Sequence, residues 1–254
     1  MNCDEFSREF DILYNNATSN QAPPLNSYEK SVILTQAQEL EVLDLYRGDN
    51  SKPFDLTEEV ASYLSPIIKD FVTITKGEIE DDDMVNSLAP IYNVTMMSAL
   101  ESDAVHDCWF IVYESALVSY AGGDCKQNVF NEVVPTTYDT FLRKQHNPFK
   151  RPNNHRVLRL NIGEPDGDIN PRSLYLIHPK NSEIVSYHCT YLKRPRPIIL
   201  EDLSNYGEEY NLTINGKSEK SECELGSAIH NKILYRAVDL AKAIWTSTII
   251  NSEN

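Results

Sequence analysis

Two cysteine–histidine neighbourhoods contain the residue types best suited to nucleophilic chemistry. His188 directly precedes Cys189, and His106 lies two positions before Cys108. An imidazole that takes the proton of a thiol creates a strong nucleophile. Direct neighbours on a strand point to opposite faces, however, so His188 and Cys189 are not expected to act as a pair. Cys108 opens an apolar stretch, which favours a role as a core thiol.

Motifs for cofactor or metal chemistry are absent from the sequence. The glycines form neither G-x-G-x-x-G nor G-x-x-x-x-G-K-[ST], and no G-x-S-x-G or H-E-x-x-H occurs. The acidic run at 78–84 is packed rather than spaced as a calcium loop is, so we interpret it as a solvated turn. We therefore expect no enzymatic activity, no metal and no cofactor.

Basic and aromatic residues gather in two proline-rich segments. The first basic elbow (residues 143–159) contains Pro148 and Pro152, and the second basic elbow spans residues 193–197. Proline fixes its own φ angle and lacks an N–H, so both segments are expected to be stiff bends. The candidate contact residues are Arg143, Lys144, Phe149, Lys150, Arg151, Arg156 and Arg159 in the first elbow, and Lys193, Arg194 and Arg196 in the second.

Three roles fit these residues: contact with another subunit or ring, a solvated surface, or contact with DNA. Arginines and aromatic rings suit phosphates and bases. The chain as a whole carries a net charge of −15, however, and long-range repulsion opposes DNA binding. We therefore favour contact between proteins, with a solvated surface as the alternative.

The negative charge is distributed unevenly. Residues 1–142 have a net charge of −18, residues 143–200 of +7 and residues 201–254 of −4. Such opposed regions favour head-to-tail contact between identical subunits, in which the basic region of one copy meets the acidic surface of the next. The alternative is that the acidic helices only keep the protein soluble.

Helices are predicted near the N-terminus. Asn2 can cap a first helix, whose apolar stripe consists of Phe6, Phe10, Leu13 and Tyr14. Asn26 and Glu29 form a capping box for a second helix, which ends at Gly48, and a third begins at Asp55. Helical spacing predicts that the second helix buries Tyr28, Val32, Ala37, Leu40, Leu43 and Leu45.

A short strand with an Asn-Gly turn is predicted at residues 211–216. A long helix is also predicted near the C-terminus. Ser227 is its expected cap, and the helix runs to about Ile250. We expect its apolar stripe to pack on the N-terminal helices; the stripe consists of Ile229, Ile233, Ala237, Leu240 and Ile244.

The middle of the chain follows the period-two pattern of β-strands. Strands are predicted from Phe71, over 108–120 and 129–134, and from Arg156, with a short helix after Thr137. Segments 173–179 and 183–192 predict a hairpin. On its second strand, one face carries the side chains of Val185, Tyr187, Cys189 and Tyr191.

These elements predict an α+β fold. A helical layer from the N-terminal helices and the long C-terminal helix is expected to pack with an antiparallel β region. We divide the chain into an N-terminal helical part (1–70), a β-rich middle part with the basic elbows (71–200), and a C-terminal strand and helix (201–254) that return to the helical part.

Three segments, in this order, resemble ring (neck) proteins of crAss-like bacteriophages. The central segment contains VPTTYDTF, NPFKRP and RVLRL, between residues 134 and 160. The N-terminal stretch 5–39 resembles the first helices of that family, and stretches 191–200 and 223–243 resemble its closing strand and helix. Together the three segments cover most of the chain.

The resemblance implies a structural virion protein that acts as a head-to-tail connector. It implies a closed ring of about twelve copies below the portal. In such a cyclic assembly, unlike patches of identical subunits are joined. Its partners would be the portal protein and neighbouring ring proteins, and DNA would pass through the lumen without specific binding. Loops 76–93, 121–128 and 163–172 and both termini are candidates for reaching neighbouring copies.

A rival hypothesis is a cytoplasmic binding module or host-takeover factor encoded by the same phage. Five scattered cysteines without a C-x-x-C pair suit a reducing cytoplasm, and no apolar run is long enough for a membrane span. The polar, acidic N-terminus does not fit a secretory signal. We expect synthesis in the bacterial cytoplasm and localisation to the neck or tail region of the virion.

Overall fold

The computed structural model describes residues 1–18, 22–47, 58–73, 91–96, 108–120, 127–145, 147, 149–161, 172–180, 182–206 and 212–252. The chain divides into two compact units: Met1–Ile67 with Arg194–Asn254, and Ile68–Lys193. The described helices are α1 (Cys3–Ala17), α2 (Ser27–Arg47), α3 (Glu58–Leu64), α4 (Tyr138–Gln145) and α5 (His230–Ser252). Several predicted features lie wholly or largely outside the described residues: His106, Gly48, Asp55, the acidic run 78–84, and the loops 76–93, 121–128 and 163–172.

The first unit begins with two helices whose predicted caps are confirmed. The Asn2 side chain accepts a hydrogen bond from the Glu5 N–H at 2.8 Å, and the Glu5 carboxylate accepts one from the Asn2 N–H at 2.9 Å. Asn26 and Glu29 make the same reciprocal pair at the start of α2, also at 2.8 and 2.9 Å. Each box satisfies two N–H groups that have no partner within the helix.

Replacing Asn26 by alanine should lower the free energy of unfolding by about 1 kcal/mol, because the Glu29 N–H loses its acceptor. Urea denaturation of the purified chain measures this change. Gln36→Ala is the matched control, since Gln36 is exposed in the middle of α2. Equal losses in the two variants would show that the box does not stabilise the helix.

Helix α5 packs against both α1 and α2, as predicted. The buried face of α2 is different from the predicted one, because apolar residues occur on almost every side of this helix. Of the six residues expected there only Ala37 is fully buried, and Ile33, Leu34 and Val42 take the remaining places. The exposure of the predicted α5 stripe also changes along the helix: Ile229, Ile233 and Ala237 are buried, whereas Ile244 is 54% exposed.

Ser227 does not cap α5. It begins a short 3-10 turn (Ser227–Ile229), and Gly226 precedes that turn without a side-chain cap. The Gly226 N–H donates to the Tyr63 carbonyl of α3 at 3.3 Å, and a Cβ at position 226 would lie 3.2 Å from the Ser62 carbonyl oxygen. This close approach to α3 explains why glycine, which has no Cβ, stands at position 226.

The strand predicted before α5 is reduced to a single turn. Ile214 and Lys217 form an isolated bridge around Asn215 and Gly216. The φ angles of these two residues are +51° and +76°, the left-handed values that an Asn-Gly hairpin turn requires. The turn was therefore predicted correctly, and the strand was not.

The second unit is a seven-stranded sheet with the strand order β1-β7-β3-β4-β5-β6-β2. The chain enters it on β1 and leaves it on β7, which pair with each other. The strands are β1 (Ile68–Thr73), β2 (Ile91–Met96), β3 (Cys108–Tyr120), β4 (Gln127–Thr136), β5 (Arg156–Asn161), β6 (Arg172–Ile177) and β7 (Ser182–Lys193).

The α+β class is confirmed, but the sheet is mixed rather than wholly antiparallel. Strands β4 and β5 run parallel, with Val133 opposite Val157. Parallel neighbours need a crossover connection, and α4 with the first basic elbow supplies it. The crossover packs Phe141 of α4 onto Leu158 and Leu160 of β5.

The hairpin predicted for β6 and β7 is wrong. Strand β6 pairs with β5 and β2, and β7 pairs with β1 and β3, so the two lie four strand spacings apart in the sheet. In a flat sheet they would be separated by roughly 19 Å. Leu174 and Leu176 of β6 nevertheless share a core cluster with Ile184 and Tyr187 of β7, so the sheet curls around this core.

An irregularity in β7 also changes its predicted core face. The β3–β7 register shifts between Leu117 and Val118, which pair with Ser186 and Ile184. A bulge of this kind moves the side chains that follow it to the other face. Tyr187, Cys189 and Tyr191 lie in the core as expected, but Ile184 replaces Val185 there.

Candidate subunit interface

The first basic elbow is held in a fixed conformation by two asparagines. The Asn147 side chain accepts a hydrogen bond from the Phe149 N–H at 3.0 Å, and its carbonyl accepts from the N–H groups of Lys150 and Arg151, both at 3.0 Å. The Asn153 side chain accepts from the His155 N–H at 2.9 Å. Such local bonds mimic backbone turns and leave the segment between them little conformational freedom.

The tip of this elbow carries an exposed aromatic ring between exposed cations. The Phe149 side chain is 84% exposed, and Lys150 and Arg151 are exposed beside it. Neither cation forms an ion pair with any residue that the structure describes. Arg143 is also exposed and pairs with Asp139 one helical turn away at 3.2 Å, while only the backbone of Lys144 is described.

The base of the same elbow faces inward. Arg156 is half-buried, and its guanidinium donates to the Phe149 carbonyl at 3.3 Å, which ties the tip to β5. Arg159 is buried inside the curled sheet, where its Nε lies 3.3 Å from a carboxylate oxygen of Glu114. Arg159 therefore stabilises the second unit and is not accessible to a neighbouring molecule.

Glu114 joins Arg159 to a third buried residue. The Tyr187 hydroxyl donates to the Glu114 carboxylate at 2.8 Å, so strands β3, β5 and β7 are linked by one polar cluster. Burial raises the pKa of Tyr187 far above its usual range, and the nearby Glu114 charge adds to this shift. The phenol thus stays protonated and remains a hydrogen-bond donor throughout the physiological range.

The cations of the second basic elbow contact their own part of the chain more than those of the first elbow do. Arg194 pairs with Glu39 of α2 at 3.0 Å, and Arg196 lies 4.0 Å from Glu224, so both cations meet acids of their own unit. Lys193, the last residue of β7, is only 5% exposed. Lys193 and Arg194 are therefore taken up by contacts within the folded chain, whereas the Arg196 side chain is still 51% exposed.

Residues 194–200 form a buried strap along α2. Polar side chains of the helix bind the strap backbone in a row: Gln38 donates to the Arg196 carbonyl at 2.8 Å, Thr35 accepts from the Ile198 N–H at 3.1 Å, and Ser31 accepts from the Leu200 N–H at 3.0 Å. On its other side the strap pairs with Ser221 through Ile199. This row explains why α2 buries polar residues that apolar spacing did not single out.

Replacing Thr35 by valine should cost about 1–3 kcal/mol of stability, because the buried Ile198 N–H loses its acceptor while the side-chain volume hardly changes. Thermal or urea unfolding of the purified chain provides the measurement. The control is Thr213→Val, at an exposed position in the same unit. A neutral Thr35→Val variant would mean that the strap is held by apolar contacts alone.

The cysteine and histidine of β7 do not form a catalytic pair. Cys189 lies in the core cluster, whereas the ring of His188 contacts Phe130 at a centroid distance of 5.8 Å. Burial raises the pKa of Cys189 to about 12, so no thiolate is available at neutral pH. Ser186 does bond His188 at 2.9 Å, but among the described residues no carboxylate orients the imidazole as a hydrolase requires.

Neither a metal-binding cluster nor a membrane-spanning helix occurs in the part of the chain that the structure describes. There, no three His, Cys, Asp or Glu side chains lie close enough to hold a metal ion. No described helix is long and apolar enough to cross a membrane.

A second exposed apolar feature lies in the first unit and was missed by sequence reasoning. Helices α1 and α5 flank an open cleft of about 360 Å³, lined by Glu9, Ile12, Leu13, Asn231, Leu234 and Tyr235. Leu234 is buried at its floor, whereas Ile12 and Tyr235 at its rim are 54% and 59% exposed. Ile12 lies off the predicted apolar stripe of α1, and that is the signal that could have revealed the cleft.

Comparison with known proteins bears on what such exposed surfaces are for. The model of the phage tail ring protein 3/4 family matches residues 1–253. The chain belongs to this family. It is 36% identical to ring protein 3 of Bacteroides phage crAss001, an alignment that covers 98% of each chain. It is also 36% identical to ring protein 4/5 of the same phage, over 96% of this chain and 94% of the relative.

Membership of this family confirms the resemblance to crAss-like phage ring proteins. The chain is a structural ring protein of a phage and thus a component of the virion. Its relatives are named as ring proteins and not as enzymes. The tip of the first basic elbow and the rim of the α1–α5 cleft both leave large apolar side chains exposed.

Proposed function

We propose that this ring protein forms a closed ring of about twelve identical copies in the neck of the virion, below the portal. It acts there as a head-to-tail connector, and its partners are the portal and the neighbouring rings. The similarity to two crAss001 ring proteins over nearly the whole chain carries this proposal. The chain is made in the host cytoplasm and enters the particle by assembly.

The charge distribution supports assembly through unlike surfaces. The exposed cations at the tip of the first basic elbow lie in a region of net charge +7, and the preceding 142 residues carry −18. A closed ring of identical subunits requires that one patch meets a different patch on the next copy. Opposite charges on those patches favour the correct register and disfavour like-to-like contact.

The same charge balance supports a passive lumen. A net charge of −15 on each copy repels DNA phosphates at long range. In the proposed ring, DNA therefore passes through without specific binding. The exposed cations of the elbow are assigned to contact between proteins.

Quantitative mass spectrometry of purified particles tests the proposal. The chain should be present at a copy number similar to that of the portal protein, and light scattering of the purified chain should show either a large oligomer or a monomer that associates with the portal. Absence of the chain from purified particles would overturn the proposal.

A further inference from the structure

The α1–α5 cleft is an open depression whose lining contains both polar and apolar side chains. Its volume of about 360 Å³ lies at the lower end of the roughly 300–1,000 Å³ of ligand clefts. The floor and one wall are apolar, from Leu234, Leu13 and Ile12, and the ring of Tyr235 forms the rim. The two large side chains at this rim, Ile12 and Tyr235, are each more than half exposed and are therefore accessible to another molecule.

One polar end of the cleft carries a negative charge. Glu9 is exposed in the lining and forms no ion pair with the residues that the structure describes. The cations on the two helices nearest in sequence, Arg8 and Lys232, do not line the cleft, and Lys232 lies over the ring of Tyr63 at 5.6 Å. The cleft therefore selects an apolar group with a cation next to it.

The tip of the first basic elbow has that chemistry. Phe149 is the most exposed large apolar side chain among the described residues, and Lys150 and Arg151 follow it directly. The bonds from Asn147 and Arg156 hold this tip in place before any contact forms. A rigid aromatic anchor of this kind loses little conformational entropy on binding.

We propose that Phe149 of one copy inserts into the α1–α5 cleft of the next copy in the ring, with Lys150 or Arg151 paired to Glu9. The inference rests on the proposed ring and names the surfaces that close it. The contact is heterologous, because the tip and the cleft are different parts of the chain, so it propagates in one direction until the ring closes. It is the anchor of a larger interface, since stable interfaces bury more than about 1,000 Å².

Photo-crosslinking in assembled particles tests the contact directly. Phage that lack their own copy of the chain are supplied in trans with a variant carrying the photoreactive aromatic residue benzoylphenylalanine in place of Phe149. After irradiation, we expect a species of twice the chain mass, with cross-linked peptides that contain residues 9–13 or 231–235. Cross-links to another surface, to another protein or within one chain would overturn the proposal, as would particles that contain the variant without any cross-link.

A charge exchange provides an independent readout in the same particles. Glu9→Lys and Arg151→Glu should each reduce incorporation at least about tenfold, because each places like charges together, and the double variant should recover most of the loss. Glu219→Lys, at an exposed site of the same unit, is the control and should incorporate normally. Glu9→Lys is combined in the same way with Lys150→Glu, and failure of both double variants to recover would refute the pairing. Absence of even the unmodified chain from particles would instead refute the ring itself.

Discussion

Arg159→Met should destabilise the chain by about 3–5 kcal/mol, because it removes the cation that lies 3.3 Å from the Glu114 carboxylate inside the curled sheet. The side chains of Arg159 and Glu114 are only 9% and 8% exposed, so water cannot replace the missing partner. The loss should appear in urea denaturation as a lower midpoint with the slope unchanged, since the exposed surface of the unfolded chain is the same.

The double variant Glu114→Gln with Arg159→Met separates charge from packing. It removes both charges and keeps an acceptor for the Tyr187 hydroxyl, so at least half of the lost stability should return. If the double variant were as unstable as the single one, shape and not charge would be the contribution of Arg159.

Reversing both charges at the tip of the elbow should abolish assembly and leave folding intact. The variant Lys150→Glu with Arg151→Glu places two carboxylates on a surface that we assign to an acidic neighbour. Like charges at an interface cost several kcal/mol, and each 1.4 kcal/mol is about a factor of ten in affinity. Incorporation into particles should therefore fall by at least about a hundredfold.

Folding of this variant should not change, because both side chains are exposed and neither has an ion-pair partner among the described residues. Its melting temperature should match that of the unmodified chain. The charge-matched control replaces Lys180 and Lys242, both also exposed, by glutamate. Loss of incorporation in the control as well would attribute the effect to net charge and not to the elbow.

The ends of the helices were predictable because their signals are local. The Asn2 and Asn26 capping boxes involve residues three positions apart, and no distant part of the chain can alter that spacing. The Asn215-Gly216 turn is of the same kind. Ser227 failed as a cap for a non-local reason, since α3 approaches the chain at Gly226 and sets the backbone there.

The pairing of the strands was less predictable because it depends on the whole sheet. A short link between β6 and β7 indicates a hairpin when viewed alone, but each strand already has two other neighbours. The parallel pair β4–β5 could have been inferred, because a strand, a helix and a strand in sequence form a crossover. The strand–helix–strand pattern was hard to recognise because the proline-rich elbow lies between the helix and the second strand.

Composition cannot distinguish the exposed basic residues from the buried ones. Arg151 and Arg159 stand eight positions apart in the same elbow, yet one is exposed at the tip and the other is buried against Glu114. Arg194 and Arg196 meet acids on α2 and near α5, which no sequence spacing connects. Charge patterning predicted a basic region, and only the fold separates its exposed residues, such as those at the Phe149 tip, from its buried ones.

The central claim is that copies of this chain join through unlike surfaces into one closed ring, and a cryo-electron reconstruction of the virion neck tests it most directly. We predict a ring composed of this chain, with the Phe149 tip of every copy at the boundary with the next. A neck without this chain, or a ring whose subunit boundaries leave both the tip and the α1–α5 cleft uncovered, would contradict the account.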